Sequence, residues 1–277
     1  MYSAEISRSH PTAYVFMVDQ SGSMDERMTT GSTKAQFVAD VINRTLRDLV
    51  VRCTREEGVR DYFDVAVIGY NGSAAANALQ GRLSSQMFHP ISSIADNTLR
   101  VEDRKRTADD GAGGVTTHNV RFPVWVDATA GGGTPMQQGV AMCAQIVADW
   151  SDAHPASFPA TVLHITDGAS TDGDPEHNAE VLKSLGTSDG GTLVYNIHVT
   201  DKNVAPLRYP SSERELPDAY SKLLFRMSST FPDHVRSYAL DAHGISLGPD
   251  ARAMVLNADA EELVKFIDIG SRPAAMR

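Results

Sequence analysis

Residues Tyr14 to Ser23 read Tyr-Val-Phe-Met-Val-Asp-Gln-Ser-Gly-Ser, an apolar run of β-forming residues that stops abruptly at a carboxylate and two hydroxyls. Such a run predicts a buried strand that ends in a polar loop. Its apolarity is continuous rather than alternating, so the strand is expected to be covered on both faces, as at the centre of a parallel sheet. Asp19, Ser21 and Ser23 then lie at its carboxyl end, where open α/β sheets place their ligands. Taken alone, the same residues also fit an ordinary turn or a helix N-cap.

The chain continues in alternating segments. Lys34 to Arg52 carries apolar residues at Phe37/Val38, Val41/Ile42, Leu46 and Leu49/Val50, the spacing of a helix with one buried face. Asp64 to Tyr70 predicts a second strand, so strand, helix, strand implies parallel pairing. From Asn71 to His118 the pattern dissolves into small and polar residues and a charge run, Glu102-Asp103-Arg104-Lys105-Arg106. A stretch of that length without clear elements reads as an insertion or functional loop, and the charge run as a solvated surface. Arg121 to Ala128 resumes alternation, but Pro123 restricts it to a sheet edge.

Gly131-Gly132-Gly133-Thr134-Pro135 precedes helical spacing from Met136 to Trp150. Thr134 fits an N-cap with Pro135 at the first helical position, whereas three glycines imply a close backbone approach or positive φ. Thr161 to Asp167 predicts a strand that ends on a carboxylate, with His164 inside it as a packing residue rather than a ligand. Asp174 and Pro175 start a helix with Val181, Leu182 and Leu185 inward and Gly186 as its stop. Leu193 to Thr200 is a further strand, and a short helix surrounds Tyr220, Leu223, Leu224 and Met227. Ala253 to Asn257 reads as a last edge strand. Asp259 and Glu262 form a capping-box pattern for a final helix that turns Leu263, Val264, Phe266 and Ile267 inward and ends at Gly270. The expected fold is α/β, a doubly wound, mostly parallel sheet with one antiparallel edge strand and helices on both faces. With no internal repeat or obvious linker, residues 1–277 read as one domain.

Composition narrows the function. The formal net charge of -10 argues against nucleic acid or an anionic membrane as partner and is compatible with cation binding. Cys53 and Cys143 are too few for a disulfide framework or zinc knuckle and read as buried thiols. Met1 to His10 lacks the apolar core of a signal peptide, and no run approaches membrane-spanning length, so the expected location is cytoplasmic.

Three strand or helix ends thus carry oxygen-bearing side chains: Asp19, Ser21 and Ser23; Thr134; and Asp167 followed by Gly168. Together they resemble the metal-ion-dependent adhesion site of the von Willebrand factor type A domain, whose signature is Asp-x-Ser-x-Ser, a distant Thr, and an Asp commonly followed by Gly. The order of strands and helices resembles that family over nearly the whole chain. The resemblance implies Mg²⁺, or Mn²⁺ or Ca²⁺, held by Asp19, Ser21, Ser23, Thr134 and Asp167. The three hydroxyls would be neutral ligands, and the carboxylates would bind directly or through water. An ion held by so little negative charge stays electrophilic and accepts a Glu or Asp from a partner protein. Asp25 nearby reads as a surface residue rather than an additional acid.

The function implied is a cytoplasmic, metal-dependent protein-binding adaptor without chemistry of its own. Relatives of this kind include tellurium-resistance-associated bacterial proteins that accompany phosphatases and kinases, and accessory subunits of AAA+ ATPases. The alternative from another class is a metal-assisted phosphoester hydrolase with Asp19 as nucleophile. Against it, none of the three motifs carries a placed general acid or a Lys to steady a phosphate. A serine hydrolase built on His164 fails because the Gly-x-Ser-x-Gly elbow is absent and strand alternation turns His164 away from Asp167.

Overall fold

The computed structural model describes residues 2–29, 31–109, 115–199, 205–258 and 260–270. The principal strands are β1 (Thr12–Asp19), β2 (Phe63–Asn71), β3 (Ala74–Asn77), β4 (His89–Pro90), β5 (Arg100–Asp109), β6 (Val115–Val124), β7 (Thr161–Thr166), β8 (Leu193–His198), β9 (Leu207–Arg208) and β10 (Met254–Leu256). The helices are α1 (Lys34–Cys53), α2 (Ile91–Asp96), α3 (Met136–Ala153), α4 (Glu176–Ser184), α5 (Ala219–Met227), α6 (Asp233–His243) and α7 (Ala260–Gly270).

The main sheet runs β9-β10-β8-β7-β1-β2-β3, with β4 also paired to β2. Strands β10, β8, β7, β1 and β2 are mutually parallel, whereas β9, β3 and β4 pair antiparallel. Strand order therefore reverses at β1, where Val15 lies opposite Ala66 of β2 on one side and Val162 of β7 on the other. The α/β class and the central place of β1 agree with the sequence reading, except that antiparallel strands occupy both ends of the sheet rather than one.

Every residue of β1 is buried, because helices cover both of its faces. Tyr14, Phe16 and Val18 enter one core with Val38, Ile42 and Leu46 of α1 and Phe266 of α7. Ala13, Val15 and Met17 enter the other with Val140 and Val147 of α3 and Leu182 of α4. Alternation thus exists in three dimensions even though the sequence shows only an apolar run.

Several local expectations are corrected. The stretch from 71 to 118 is largely built of elements: β3, β4, α2, and the arm β5, which pairs with β6 and with no other strand among the described residues. The run 121–128 is thus no edge of the main sheet; its first part belongs to this hairpin, which removes the conflict posed by Pro123. Met254 to Leu256 is not an edge either, because β9 pairs on its outer side. Helix α3 begins at Met136 with Pro135 in the cap position, so Thr134 is not its N-cap. Helix α4 ends at Ser184 with Leu185 as its C-cap, ahead of Gly186, and Val181 is exposed on its outer side. Asp174 does accept a hydrogen bond from Glu176 N at 3.0 Å. Asp259 lies outside the described residues, as does the side chain of Val264. Leu263, Phe266 and Ile267 are buried as expected. Helix α6 carries no strong sequence signal and was not anticipated.

Candidate metal centre

The carboxyl ends of β1 and β7 bring two loops together. Asp19 closes β1 with its side chain turned inward and is 1% exposed. Its Oδ1 accepts from Ser21 N at 2.9 Å and its Oδ2 from the Thr166 hydroxyl at 2.6 Å. The Ser21 hydroxyl lies 3.1 Å from that of Ser23, which donates to Asp167 Oδ1 at 2.7 Å. The other carboxylate oxygen of Asp167, Oδ2, accepts from Lys34 Nζ at 2.9 Å, and Lys34 also donates to Glu26 at 2.6 Å. Asp19, Ser21, Ser23 and Asp167 therefore form one hydrogen-bonded group of oxygens. Ser23 is exposed and opens it to solvent, and Asp25 beside it is exposed as expected.

The loop that leads into Thr134 is joined to this group by glycine backbone, whereas the hydrogen bonds of Thr134 itself go to Thr171. Gly22 N donates to Gly132 O at 3.0 Å and Gly131 N to Gln20 O at 2.9 Å, which stitches the glycine loop onto the Asp19 loop. Gly132 has φ +72, and a Cβ there would stand 2.6 Å from Gly72 Cα, so both backbone reasons for glycine apply at once. Thr134 itself is buried; its N–H donates to the Thr171 hydroxyl and its carbonyl accepts from Thr171 N, each at 2.9 Å. The start of α3 is held instead by Asp172, which accepts from Gln137 N and Gln138 N at 3.0 Å each. Burial opposes the ionised form of Asp172, but bonds from Ser170 and these amides hold its pKa below the usual value.

The electrostatics are those of a crowded anionic corner. Burial raises the pKa of Asp19, against the hydrogen bonds from Ser21 and Thr166, and the charge of Asp167 adds to the rise. Burial also opposes the charge on Lys34, yet its bonds to Glu26 and Asp167 outweigh that and raise its pKa. His164 is fully buried with Tyr70 Oη at 2.8 Å and Asn196 Oδ1 at 2.7 Å, and burial lowers its pKa to about 4. It is a neutral packing residue, as the sequence reading has it.

The donor set suits a hard cation. Two carboxylates and several hydroxyls offer oxygen alone, the chemistry that Mg²⁺ and related ions take. Among the described residues no three His, Cys, Asp or Glu side chains converge, which disfavours a zinc-type site. The Ser23 hydroxyl and the Lys34 ammonium both donate to Asp167, so a cation at this site would share that carboxylate with them.

The sequence matches no protein-family model, and no curated protein matches it either. Among solved structures, the chain is similar to the PilB minor pilin from Streptococcus sanguinis, with a TM-score of 0.46 and 13% identity over 94% of this chain and 60% of that one. It is also similar to the vWF domain of the type V pili tip protein Mfa5 from Porphyromonas gingivalis, with a TM-score of 0.32 and 16% identity over 58% of this chain and 39% of that one. The chain thus spans less than two thirds of either. The fold described above rests on its own sheet order.

Sequence reasoning missed Lys34, Thr166 and Asp172. Thr166 immediately precedes Asp167 and was open to notice as a hydroxyl at the same strand end. Lys34 reads locally as an ordinary first-turn residue, and only the tertiary fold, which sets the start of α1 beside the loop after β7, brings it to Asp167.

Proposed function

We propose that this protein is a metal-dependent protein-binding module, with the ion held by Asp19, Ser21, Ser23, Thr134 and Asp167. The observation that carries the reading is the hydrogen-bonded Asp19-Ser21-Ser23-Asp167 group at the point where strand order reverses. A divalent ion of the Mg²⁺ type would supply Lewis acidity toward an incoming carboxylate. The residues here would hold it and keep Asp19 in place through Thr166. A Glu or Asp of a partner protein is the ligand class such a site takes. The cytoplasmic adaptor setting belongs to the same reading, and the free, buried Cys53 and Cys143 are compatible with a reducing compartment.

Lys34 gives the hydrolase alternative a specific observation, because the structure brings to the site the lysine that its motifs lack. Asp19 argues the other way. Both of its oxygens are engaged and it is 1% exposed, so a nucleophile there has no approach to a phosphorus atom. We therefore assign no catalysis to the site.

Thermal melting with MgCl₂ or MnCl₂ tests the metal. At a hundred times its dissociation constant an ion adds about 2.7 kcal/mol to stability, and Asp19→Ala should abolish the shift. An equal shift in Asp19→Ala, or none in the native chain, refutes it. The partner reading expects a captured protein that is lost with EDTA and in a folded Thr134→Ala variant. Asp19-dependent turnover of p-nitrophenyl phosphate would restore the hydrolase.

A further inference from the structure

Lys34 is a lysine where helix physics disfavours one. It is the first residue of the 20-residue helix α1, so its charge faces the positive end of the helix dipole. It is also 4% exposed, and it is the one buried Lys or Arg among the described residues. A buried ammonium needs anionic partners to be tolerated. It has them in Asp167, whose side chain is 1% exposed, and in Glu26, whose side chain is 58% exposed.

The placement on Asp167 is asymmetric. Oδ1 of this carboxylate faces the Ser23 hydroxyl and the oxygen group, while Oδ2 is taken by the ammonium. Asp19 and Asp167 bring two formal negative charges, and Lys34 cancels one of them within hydrogen-bonding distance. Without that cation and without a metal, Asp167 would be a buried, uncompensated charge close to Asp19.

We propose that Lys34 is a resident counter-cation that sets the metal affinity of the site: it neutralises Asp167 when no ion is bound and repels a divalent ion that binds, making occupancy weak and readily reversible. The proposal rests on the metal reading above and adds its regulation. Its consequence is a site whose occupancy follows the free ion concentration, so that partner binding is switched by the ion rather than permanently enabled.

The test is Mn²⁺ binding followed by the loss of the free-ion electron paramagnetic resonance signal, with thermal melting in EDTA alongside. Lys34→Met keeps the length of the stem and removes the charge; it should bind Mn²⁺ about tenfold or more tightly than the native chain. Its melting temperature in EDTA should fall, and the rise on adding Mn²⁺ should exceed the native one. Lys34→Arg, which keeps the charge, should stay within about threefold of native affinity. Lys34→Gln, uncharged but still a hydrogen-bond donor, should follow Lys34→Met and serves if that variant does not fold.

Equal or weaker binding by both uncharged variants overturns the proposal and leaves the metal reading intact. Asp19-dependent binding in the native chain that becomes tighter in both uncharged variants supports it. Absence of Asp19-dependent binding in every variant, the native chain included, overturns both.

Discussion

His164 shows how a titratable residue can be made inert by its surroundings. Asn196 Nδ2 donates to Leu224 O and Ser228 Oγ, so its Oδ1 faces the ring and accepts from Nδ1, leaving Nε2 to accept from Tyr70. Protonation would place a second donor on Nε2 and a charge among apolar side chains, and burial accordingly lowers the pKa to about 4. The unfolded histidine, with a pKa of about 6.5, binds a proton first as pH falls, so it is the unfolded state that gains. Stability should therefore drop by on the order of 3 kcal/mol as pH falls from about 6.5 to about 4, beyond the drop seen in His164→Gln. Urea unfolding at several pH values measures that difference, and parallel curves for the two proteins would refute it.

Among the elements, the β5–β6 hairpin departs most from expectation. Its strands pair over ten residues each, from Arg100 opposite Val124 to Asp109 opposite Val115. The base is anchored: Phe122 and Val124 are buried, the Arg104 guanidinium lies 3.8 Å above the Phe122 ring, and Arg104 pairs with Asp40 of α1. Asn43 of α1 accepts from Trp125 N and Val126 N and donates to Val126 O, fixing the chain as it leaves for the glycine loop. Beyond the base, Thr116 to Asn119 are exposed. Replacing residues 105–119 by Asn-Gly, which joins the facing Arg104 and Val120, should cost less than about 1 kcal/mol. Asn43→Ala should cost about 1–3 kcal/mol or more, because it leaves buried backbone groups unpaired. Denaturant midpoints of the two variants check the contrast, and the reverse order would show that the outer hairpin carries stability.

For the whole molecule, the decisive feature is that one sheet separates two cores. Leu46 of α1 is fully buried on one side, and Leu182 of α4 is 1% exposed on the other. Each change to Ala should cost about 2–5 kcal/mol through lost burial and the cavity left behind. Because the two residues share no partners, the double variant should equal their sum to within about 0.5 kcal/mol. Calorimetry or denaturant unfolding reads this, and strong non-additivity would mean that the two layers are coupled through the sheet. The candidate metal centre sits at the edge of that sheet. Its loops are carried by rigid strands, and Asp19 and Asp167 are set by strand ends rather than by the loops themselves.

Much of this was legible locally. The apolar run ending at Asp19, the helical stripe of α1 and the carboxylate after Ile165 and Thr166 follow from side-chain periodicity and turn chemistry, which neighbouring residues settle among themselves. The parallel pairing of β1 with β2 was also readable, because a βαβ start favours it. The hairpin was hidden because its sequence from Glu102 to Asn119 shows no apolar alternation, and Thr116 to Asn119 are exposed, so no core imposes one on them. Thr134 was misread as a cap because Thr-Pro has the right local chemistry, while the group that does cap α3, Asp172, arrives from another loop. Lys34 was invisible for the same reason on a larger scale: its ion pair spans 133 residues. By itself, the sequence determined the five parallel strands, the main helices and the carboxylates that end β1 and follow β7, because these depend on short-range propensity and pattern. Only the tertiary structure decided which ends meet and that a buried lysine lies against Asp167, because charge and hydrogen bonding act across space irrespective of chain distance.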